Sequence, residues 1–492
     1  MGGHLPSHKN HFMSGRLYTY IVLLLSGLTV VVSAQNSTVS GYIRDKESGE
    51  FLISANCVEP MLKRGASSNS SGYYSITLPR GKISLQASYV GYNSYKIDFN
   101  LQKDTIIDFM LSSLQLEEIV IRGNDKSIFR QSNTGLNIIP VKIIASIPSF
   151  IGEPDIIRAV TFLPGVSEGR EGFSDFYVRG GDRGQNLVLL DGAKVYNTNH
   201  LGGFLSLFNS DVIKSADLYK GGFPSRFGGR ASSVLDIHTR EGNKNEFHSK
   251  FKLGILQSSL LFEGPVKNQN TSYLISVRGS YLDLLTLPIR IKNKLNNSGS
   301  LAGYTFLDLN MKINHQIDGR NKVFANFYSG LDFQSAYEIG RTETSKDQLH
   351  IQTSLLTLGH TFIPGSKSFL KTSIIFSDYG NRISSFYSFR THLDNYYTKL
   401  SSRSSIRELS LKSIFDWNPN GKHSFKTGIE INKYMFIPGR LRIQNADFVL
   451  NTETDTLTGS LILPFLKPPE LFFKVKVFFL IKHLLFFSAY FF

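Results

Sequence analysis

The sequence predicts a mainly β chain: a small β-sandwich, then a compact glycine-rich α/β unit, then a long antiparallel run of hairpins. Three observations lead there. Between residues 39 and 112, short runs of alternating character are separated by turn signals such as Glu47-Ser48-Gly49, Ser71-Gly72 and Pro79-Arg80-Gly81, the punctuation of closely spaced strands. Between 152 and 239, one short helical pattern mixes with strands and many glycines. From residue 247, apolar and polar residues swap with a period of two, the period of a strand with two unlike faces.

Composition narrows the class. Of 492 residues, 19% are charged and 12% aromatic, against the ~25% charge of soluble domains. An ordinary helical cytosolic enzyme is disfavoured on that ground. The 41% hydrophobic content excludes wholesale disorder. Cys57 is the only cysteine, which excludes a disulfide scaffold and zinc–thiolate clusters. The net charge is +15, yet no block of five Lys or Arg occurs, so the charge does not by itself mark a nucleic-acid site.

The elements follow in order. Lys9 and Arg16 precede an apolar run from Tyr20 to Val32, which ends in Val32-Ser33-Ala34-Gln35. The run is too short to span a bilayer as a helix, and its small terminal residues suit signal peptidase. Residues 1–34 are read as a signal peptide. No cysteine follows, so lipoprotein processing has no support there.

Residues 35–112 form the sandwich. Tyr73-Tyr74-Ser75-Ile76-Thr77-Leu78 and Ile83-Ser84-Leu85-Gln86-Ala87-Ser88-Tyr89 are its clearest strands, and about seven short strands fit the segment. Through VSGYIRD, SGYYSITLPRG and YVGY this segment resembles the carboxypeptidase regulatory-like domain. No catalytic group accompanies it, and no peptidase is inferred.

Residues 113–135 make a linker around Leu116-Glu117-Glu118-Ile119-Val120-Ile121. A β-branched run between polar stretches can add as an edge strand to another protein's sheet, and its acids would steer it to a basic partner.

Residues 136–241 carry the most specific pattern. Gly152-Glu153-Pro154-Asp155 opens a helix, with Pro154 expected in its first turn. Ile156, Ile157, Val160 and Leu163 give it an apolar face, and Pro164-Gly165 stops it. Phe176–Arg179 reads as a strand and Gly180-Gly181 as a turn. Asn186–Leu190 is a second strand, ended by the tight-turn pair Asp191-Gly192. Ser233–Thr239 closes the block.

GEPDIIRAVTFLPGV, FYVRGGDRGQNLVLLDGAKVYN and DLYKGGFPSRFGGRASSVLDI together resemble the plug domain of TonB-dependent outer-membrane receptors, in that family's order and spacing. The resemblance puts Glu117, Glu118, Ile119, Val120 and Ile121 where the family keeps its TonB box. Structural roles are expected for the plug's Arg179, Gly180, Asp191, Gly192, Gly228 and Gly229. Arg179 and Asp191 are expected to pair, and Gly228 and Gly229 to make a tight turn. Residues 196–206, with Tyr196, Asn199 and His200, are the expected ligand contact at the plug apex.

Residues 242–460 then read as a partial antiparallel transmembrane β-barrel. Leu307, Leu309, Met311 and Ile313 oppose Asp308, Asn310, Lys312 and Asn314. In lipid such an apolar face meets acyl chains and the polar face lines a lumen. Ten strands are expected, centred near 251, 259, 276, 309, 325, 357, 374, 386, 410 and 428. Plugged outer-membrane transporters use ~22, so a shortened barrel is expected. Residues 461–492 lose the alternation and pack eight Phe after residue 470. They are read as an aberrant tail of a truncated or frame-shifted gene, with a terminal helix or a barrel end closing on Phe492 as the other readings.

Enzyme motifs are absent. No His is followed by Glu and no Gly-Lys by Ser or Thr, which removes HExxH and the P-loop. Asp175 and Asp182 are read as solvated loop charges. His200 and His238 are not read as metal ligands, and no metal or cofactor is expected. The resemblance implies an outer-membrane protein of a Gram-negative cell, its sandwich in the periplasm. It implies uptake of a ferric siderophore, cobalamin or an oligosaccharide, driven by TonB with the energising complex ExbB/ExbD. A SusD-like surface lipoprotein is a further partner open to such receptors. The alternative is an exported β-sandwich adhesion or scaffold protein of the cell envelope.

Overall fold

The computed structural model describes residues 36–114, 135–140, 144, 154–169, 175–296, 299–340, 342–390, 395–420, 423–446, 451–457, 470–481 and 484–491. The signal segment and the Glu117–Ile121 run lie outside them.

The sandwich has eight short strands: β1 (Asn36–Asp45), β2 (Asn56–Glu59), β3 (Arg64–Ser67), β4 (Tyr73–Pro79), β5 (Gly81–Ser88), β6 (Tyr95–Leu101), β7 (Thr105–Ile106) and β8 (Phe109–Leu111). One sheet runs β4-β1-β7 with β8 also on β1, the other β3-β2-β5-β6. The alternation of β5 buries Ile83, Leu85 and Ala87, which meet Val39, Ile43, Tyr74, Ile76 and Leu78 in one core. Strand β1 does not alternate, because both its faces are covered. Its second side lies near a small cluster of Tyr42, Phe51 and Tyr73 with Ile363 and Phe369 from the large sheet.

The α/β unit holds β9 (Leu136–Pro140), α1 (Ile156–Thr161), β10 (Val166–Glu168), β11 (Phe176–Val178), β12 (Asn186–Leu190), β13 (Ala193–Lys194), β14 (Asn199–His200), β15 (Leu205–Ser206), β16 (Ile213–Tyr219) and β17 (Ser233–Thr239). Its main sheet has the order β13-β12-β17-β16-β9. All five residues of β12 are buried. Val188 and Leu190 enter one core with α1, while Leu187 and Leu189 enter another with Tyr219 and Phe227. The α1 N-cap is Asp155, whose carboxylate accepts from the Ile157 amide at 2.7 Å. Pro154 therefore sits one residue ahead of the cap, outside the first turn. Asp191 and Gly192 both have positive φ, 47° and 90°, as a two-residue turn of this hand requires.

The large sheet, here called the wall, has twelve described strands. They are β18 (His248–Leu253), β19 (Gln257–Val266), β20 (Asn268–Ser280), β21 (Gly299–Gln316), β22 (Asn321–Ile339), β23 (Glu343–Gly365), β24 (Ser368–Arg390), β25 (Asn395–Trp417), β26 (Phe425–Ala446), β27 (Asn451–Leu457), β28 (Glu470–Ile481) and β29 (Leu484–Phe491). Every pairing between consecutive strands through β26 is antiparallel, and β27 and β28 both pair with β26.

Two expectations change here. The strands centred at 374 and 386 are one 23-residue strand, β24. Its middle, Ser377-Asp378-Tyr379-Gly380-Asn381, looks like a turn in sequence but is held straight by equally long partners on both sides. The segment 470–491 forms an antiparallel hairpin at the end of the sheet, so backbone pairing continues there although the alternation is lost. Between β20 and β21 lie two unanticipated helices, α2 (Leu282–Leu285) and α3 (Leu287–Leu295). Pro288, which excludes a central strand, occupies an early helical position where its missing N–H costs nothing.

The wall's two faces are inverted relative to a water-soluble sheet. Leu307 and Ile313 are 48% and 47% exposed, whereas Asp308 and Asn314 are 0% and 2%. The polar face is covered by the α/β unit, and the apolar face points away from it.

Candidate functional site

The site is the junction between the α/β unit and the polar face of the wall. Three anchors hold it. The deepest centres on His200, at the end of β14. Its Nε2 lies 2.9 Å from Asp308 and its Nδ1 2.9 Å from Asp332. The imidazole stacks on Phe306 at 4.5 Å and 15°. Arg278 forms a 2.6 Å ion pair with Asp308 and donates to the carbonyls of Ser206 and Leu207 at 3.0 and 3.1 Å. Tyr328 donates to Asp308 at 2.7 Å, and Tyr304 donates to Asp332. Burial works against the charged form of His200, but Asp308 and then Asp332 outweigh it and raise its pKa to about 9. The ring is an imidazolium clamped between two carboxylates.

The second anchor uses the β12–β13 turn. Asp191 accepts from the Thr239 amide at 3.0 Å and from its hydroxyl, from Lys312 at 2.9 Å and from Asn326 at 2.8 Å. Burial would raise its pKa, but Lys312 and the Thr239 hydroxyl hold it below the ordinary carboxylate value. Just beyond, Lys194 pairs with Glu408 at 2.5 Å and donates to Tyr434 at 2.6 Å, while Tyr196 donates to Glu408 at 2.7 Å.

The third anchor joins all three units. Glu241 pairs with Lys322 at 2.6 Å, and its carbonyl accepts from Ser272 and Asn314. Glu50 of the sandwich accepts from the Glu241 and Gly242 amides, both at 3.0 Å. Arg240 bridges to both oxygens of Glu263 at 2.7 and 2.8 Å. Gly242 has φ 83°, and a Cβ there would lie 2.3 Å from the Tyr273 carbonyl oxygen, so only glycine fits. The sandwich adds Tyr73 stacked on Phe369 at 5.4 Å and hydrogen bonds from Tyr73 and Ser75 to the Ser366 carbonyl.

Between the sandwich, the underside of the α/β unit and the wall lies a cavity of about 780 Å³. Four of its lysines pair with acids: Lys312 with Asp191, Lys322 with Glu241, Lys412 with Glu430 and Lys426 with Asp416.

The structure rearranges several expected pairings. Arg179 does not pair with Asp191, because the carboxylate is taken by Thr239, Lys312 and Asn326. Arg179 instead adopts a positive φ of 49° in the turn with Gly180 at 77°. Asp175 is not a solvated loop charge: Arg183 lies at 3.1 Å and Asn199 donates to it at 2.6 Å. Gly229 has φ 88° at a bend, while the hydrogen-bonded turn of this loop falls at Ser225-Arg226, where the Phe227 amide donates to the Pro224 carbonyl at 3.0 Å. Tyr196, Asn199 and His200 are each engaged by a different protein carboxylate, Glu408, Asp175 and the Asp308/Asp332 pair respectively. His238 sits 3.9 and 3.8 Å from Asp217 and Asp236. Among the described residues no cluster of His, Cys, Asp and Glu could hold a metal. The sequence places Asp308 on a polar strand face but assigns it no role, and it does not single out Asp332, Glu408 or Arg278 as site residues; their one signal is that charged residues sit on the polar face of alternating strands.

The fold is therefore that of a small domain seated against the polar inner face of an antiparallel wall, with a sandwich docked at its base. Residues 39–121 match the CarboxypepD_reg-like domain and residues 150–234 the TonB-dependent Receptor Plug Domain. The chain thus carries a match to the receptor plug domain behind a match to the carboxypeptidase regulatory-like domain. It is 26% identical over 246 residues to the TonB-dependent receptor P39 of Formosa agariphila, a match covering 48% of this chain and 23% of that protein. Among solved structures it is similar to the RagAB peptide importer in the closed-closed state, with a TM-score of 0.47 and 11% identity over 71% of this chain and 53% of that one. It is also similar to the ferric citrate transporter FecA in the unliganded form, with a TM-score of 0.41 and 10% identity over 72% and 62%. The matches thus span less than two thirds of each of these relatives.

Proposed function

We propose that this chain works in an energy-coupled uptake receptor of the Gram-negative outer membrane, with the wall in lipid, the plug closing its lumen and the sandwich in the periplasm. The observation that carries this reading is the inverted wall. Its apolar side chains point away from the protein, and its charged ones are buried against the plug. In water such a sheet would hide its apolar face on a second layer; in a bilayer the arrangement is the stable one.

On this reading Tyr196, Asn199 and His200 are plug-retaining groups, because each already has a protein partner. A nutrient, whether ferric siderophore, cobalamin or oligosaccharide, would act by disturbing those contacts from outside. TonB, energised by ExbB/ExbD, would pull on Glu117, Glu118, Ile119, Val120 and Ile121 by strand addition. Such pulling does mechanical work and needs no covalent chemistry. Capture of the full chain on an immobilised TonB C-terminal domain tests the coupling. Ile119→Pro removes a backbone donor from the added strand and is expected to abolish capture while leaving membrane insertion intact. Undiminished capture by this variant would overturn the assigned box.

A further inference from the structure

The helical hairpin α2–α3 has no place in the plug, the lumen or the sandwich. Its position follows from strand parity. On β21 the even-numbered Asp308, Asn310, Lys312 and Asn314 are buried on the plug side. Gly303 and Thr305 therefore share the outward face with Leu307. Thr305 donates to Asp283 of α2 at 2.9 Å. A Cβ on Gly303 would lie 2.4 Å from the same carboxylate. The hairpin is thus fastened to the outside of the wall, and glycine at 303 makes room for it.

The hairpin leaves apolar side chains uncovered. Neither helix buries a residue. Leu284 is 67% exposed and Leu295 78%, with Leu285, Leu287, Ile289 and Ile291 also exposed. At 3.6 residues per turn, Leu287, Ile291 and Leu295 fall within an arc of about 80°. Lys292 flanks that arc on one side and Lys294 on the other; Ile289 lies off it. Both lysines are exposed. Directly below, Val277 and Leu307 are exposed on the same outward face, so the apolar surface of the hairpin continues the lipid-facing band.

We propose that α2–α3 is an interfacial lipid-binding element. Leu284, Leu287, Ile291 and Leu295 enter the acyl region at the edge of the membrane band, and Lys292 and Lys294 engage anionic headgroup phosphates. An apolar arc flanked by cations is the pattern of helices that lie in a membrane interface. The proposal rests on the wall being in lipid, and its test separates the two.

Ile291→Cys and, as a control in the band, Ile313→Cys are each labelled with an environment-sensitive fluorophore. The only native thiol, Cys57, is fully buried with its pKa pushed up to about 12 by that burial, so it does not compete. The full chain is reconstituted into vesicles of phosphatidylcholine alone or mixed with phosphatidylglycerol. The expected result is quenching of both labels by bilayer nitroxides and shielding of both from iodide. For position 291 quenching is expected to be stronger with the anionic lipid. It should weaken roughly fivefold per lysine on Lys292→Gln and Lys294→Gln. A quenched 313 with an iodide-accessible 291 would overturn the proposal alone. So would shielding of 291 that appears only in native membranes, which would assign the face to a protein. An unquenched 313 would overturn the lipid wall itself. Equal quenching of 291 in both lipid mixtures, unchanged by the lysine variants, would overturn the headgroup contact.

Discussion

Replacing His200 by Ala should loosen the plug more than any other single change in it. The imidazole is fully buried between Asp308 and Asp332. After truncation Asp308 keeps Arg278 and Tyr328, but Asp332 keeps Tyr304 and loses its cation. Breaking a buried charge pair from one side costs about 3–5 kcal/mol. At a factor of ten for each 1.4 kcal/mol, local opening should rise by roughly two to four orders of magnitude. Hydrogen exchange of amides in residues 196–210, in the membrane-reconstituted chain, reads this directly. The native chain should also respond to pH. The pKa of His200 is raised from 6.5 to about 9, so its stabilisation is complete below pH 6.5 and is lost as pH rises through about 9. By linkage the loss is about 3 kcal/mol. Asp308, Asp332, Arg278, Tyr304 and Tyr328 face the ring, and of these groups the imidazolium is the one expected to lose its charge in that window. His200→Lys, which keeps a cation, should remain protected at pH 9, and His200→Ala should be pH-independent there. Protection in His200→Ala equal to wild type would refute the clamp.

Other outcomes follow from the same contacts. Gly242→Ala forces a Cβ against the Tyr273 carbonyl at a φ of 83°, and should lower stability by about 1–3 kcal/mol in urea unfolding. Glu50→Ala removes the acceptor for the Glu241 and Gly242 amides; these two amides should exchange faster, and limited proteolysis should cut residues 115–134 sooner. Iodoacetamide should not alkylate Cys57 of the folded chain at pH 8, since the thiol is buried in the sandwich core; its modification should track sandwich unfolding in denaturant.

Much of the local structure was legible. Phe176–Val178, Asn186–Leu190 and Ser233–Thr239 are strands as their apolar runs imply, and Asp191-Gly192 turns as its residue types require. These signals are short-range, set by propensity and period. The junction was not legible in the same way. His200 is 108 and 132 residues from its two carboxylates, and Lys194 is 214 from Glu408. No local pattern encodes such pairings, so a Tyr/Asn/His-rich loop looked like a ligand surface. Strand β24 looked like two because alternation fades in its middle, where only its neighbours keep it straight. The α2–α3 hairpin hid behind Leu285, Leu287, Ile289 and Ile291, whose period of two mimics a strand until Pro288 is taken into account.

The two domain matches give the order of the units, and the structure adds how they are joined. Tyr73 of the sandwich, Asp191 and Glu241 of the plug, and Lys312, Lys322 and Phe369 of the wall meet around one cavity, and Glu50 of the sandwich accepts from the Glu241 amide beside it.

Fractionation of cells expressing the full chain tests the central claim most directly. The account predicts that the chain sediments with outer-membrane fragments and stays with them through alkaline carbonate washing. Recovery of the chain in the supernatant as a monodisperse protein without detergent would contradict it.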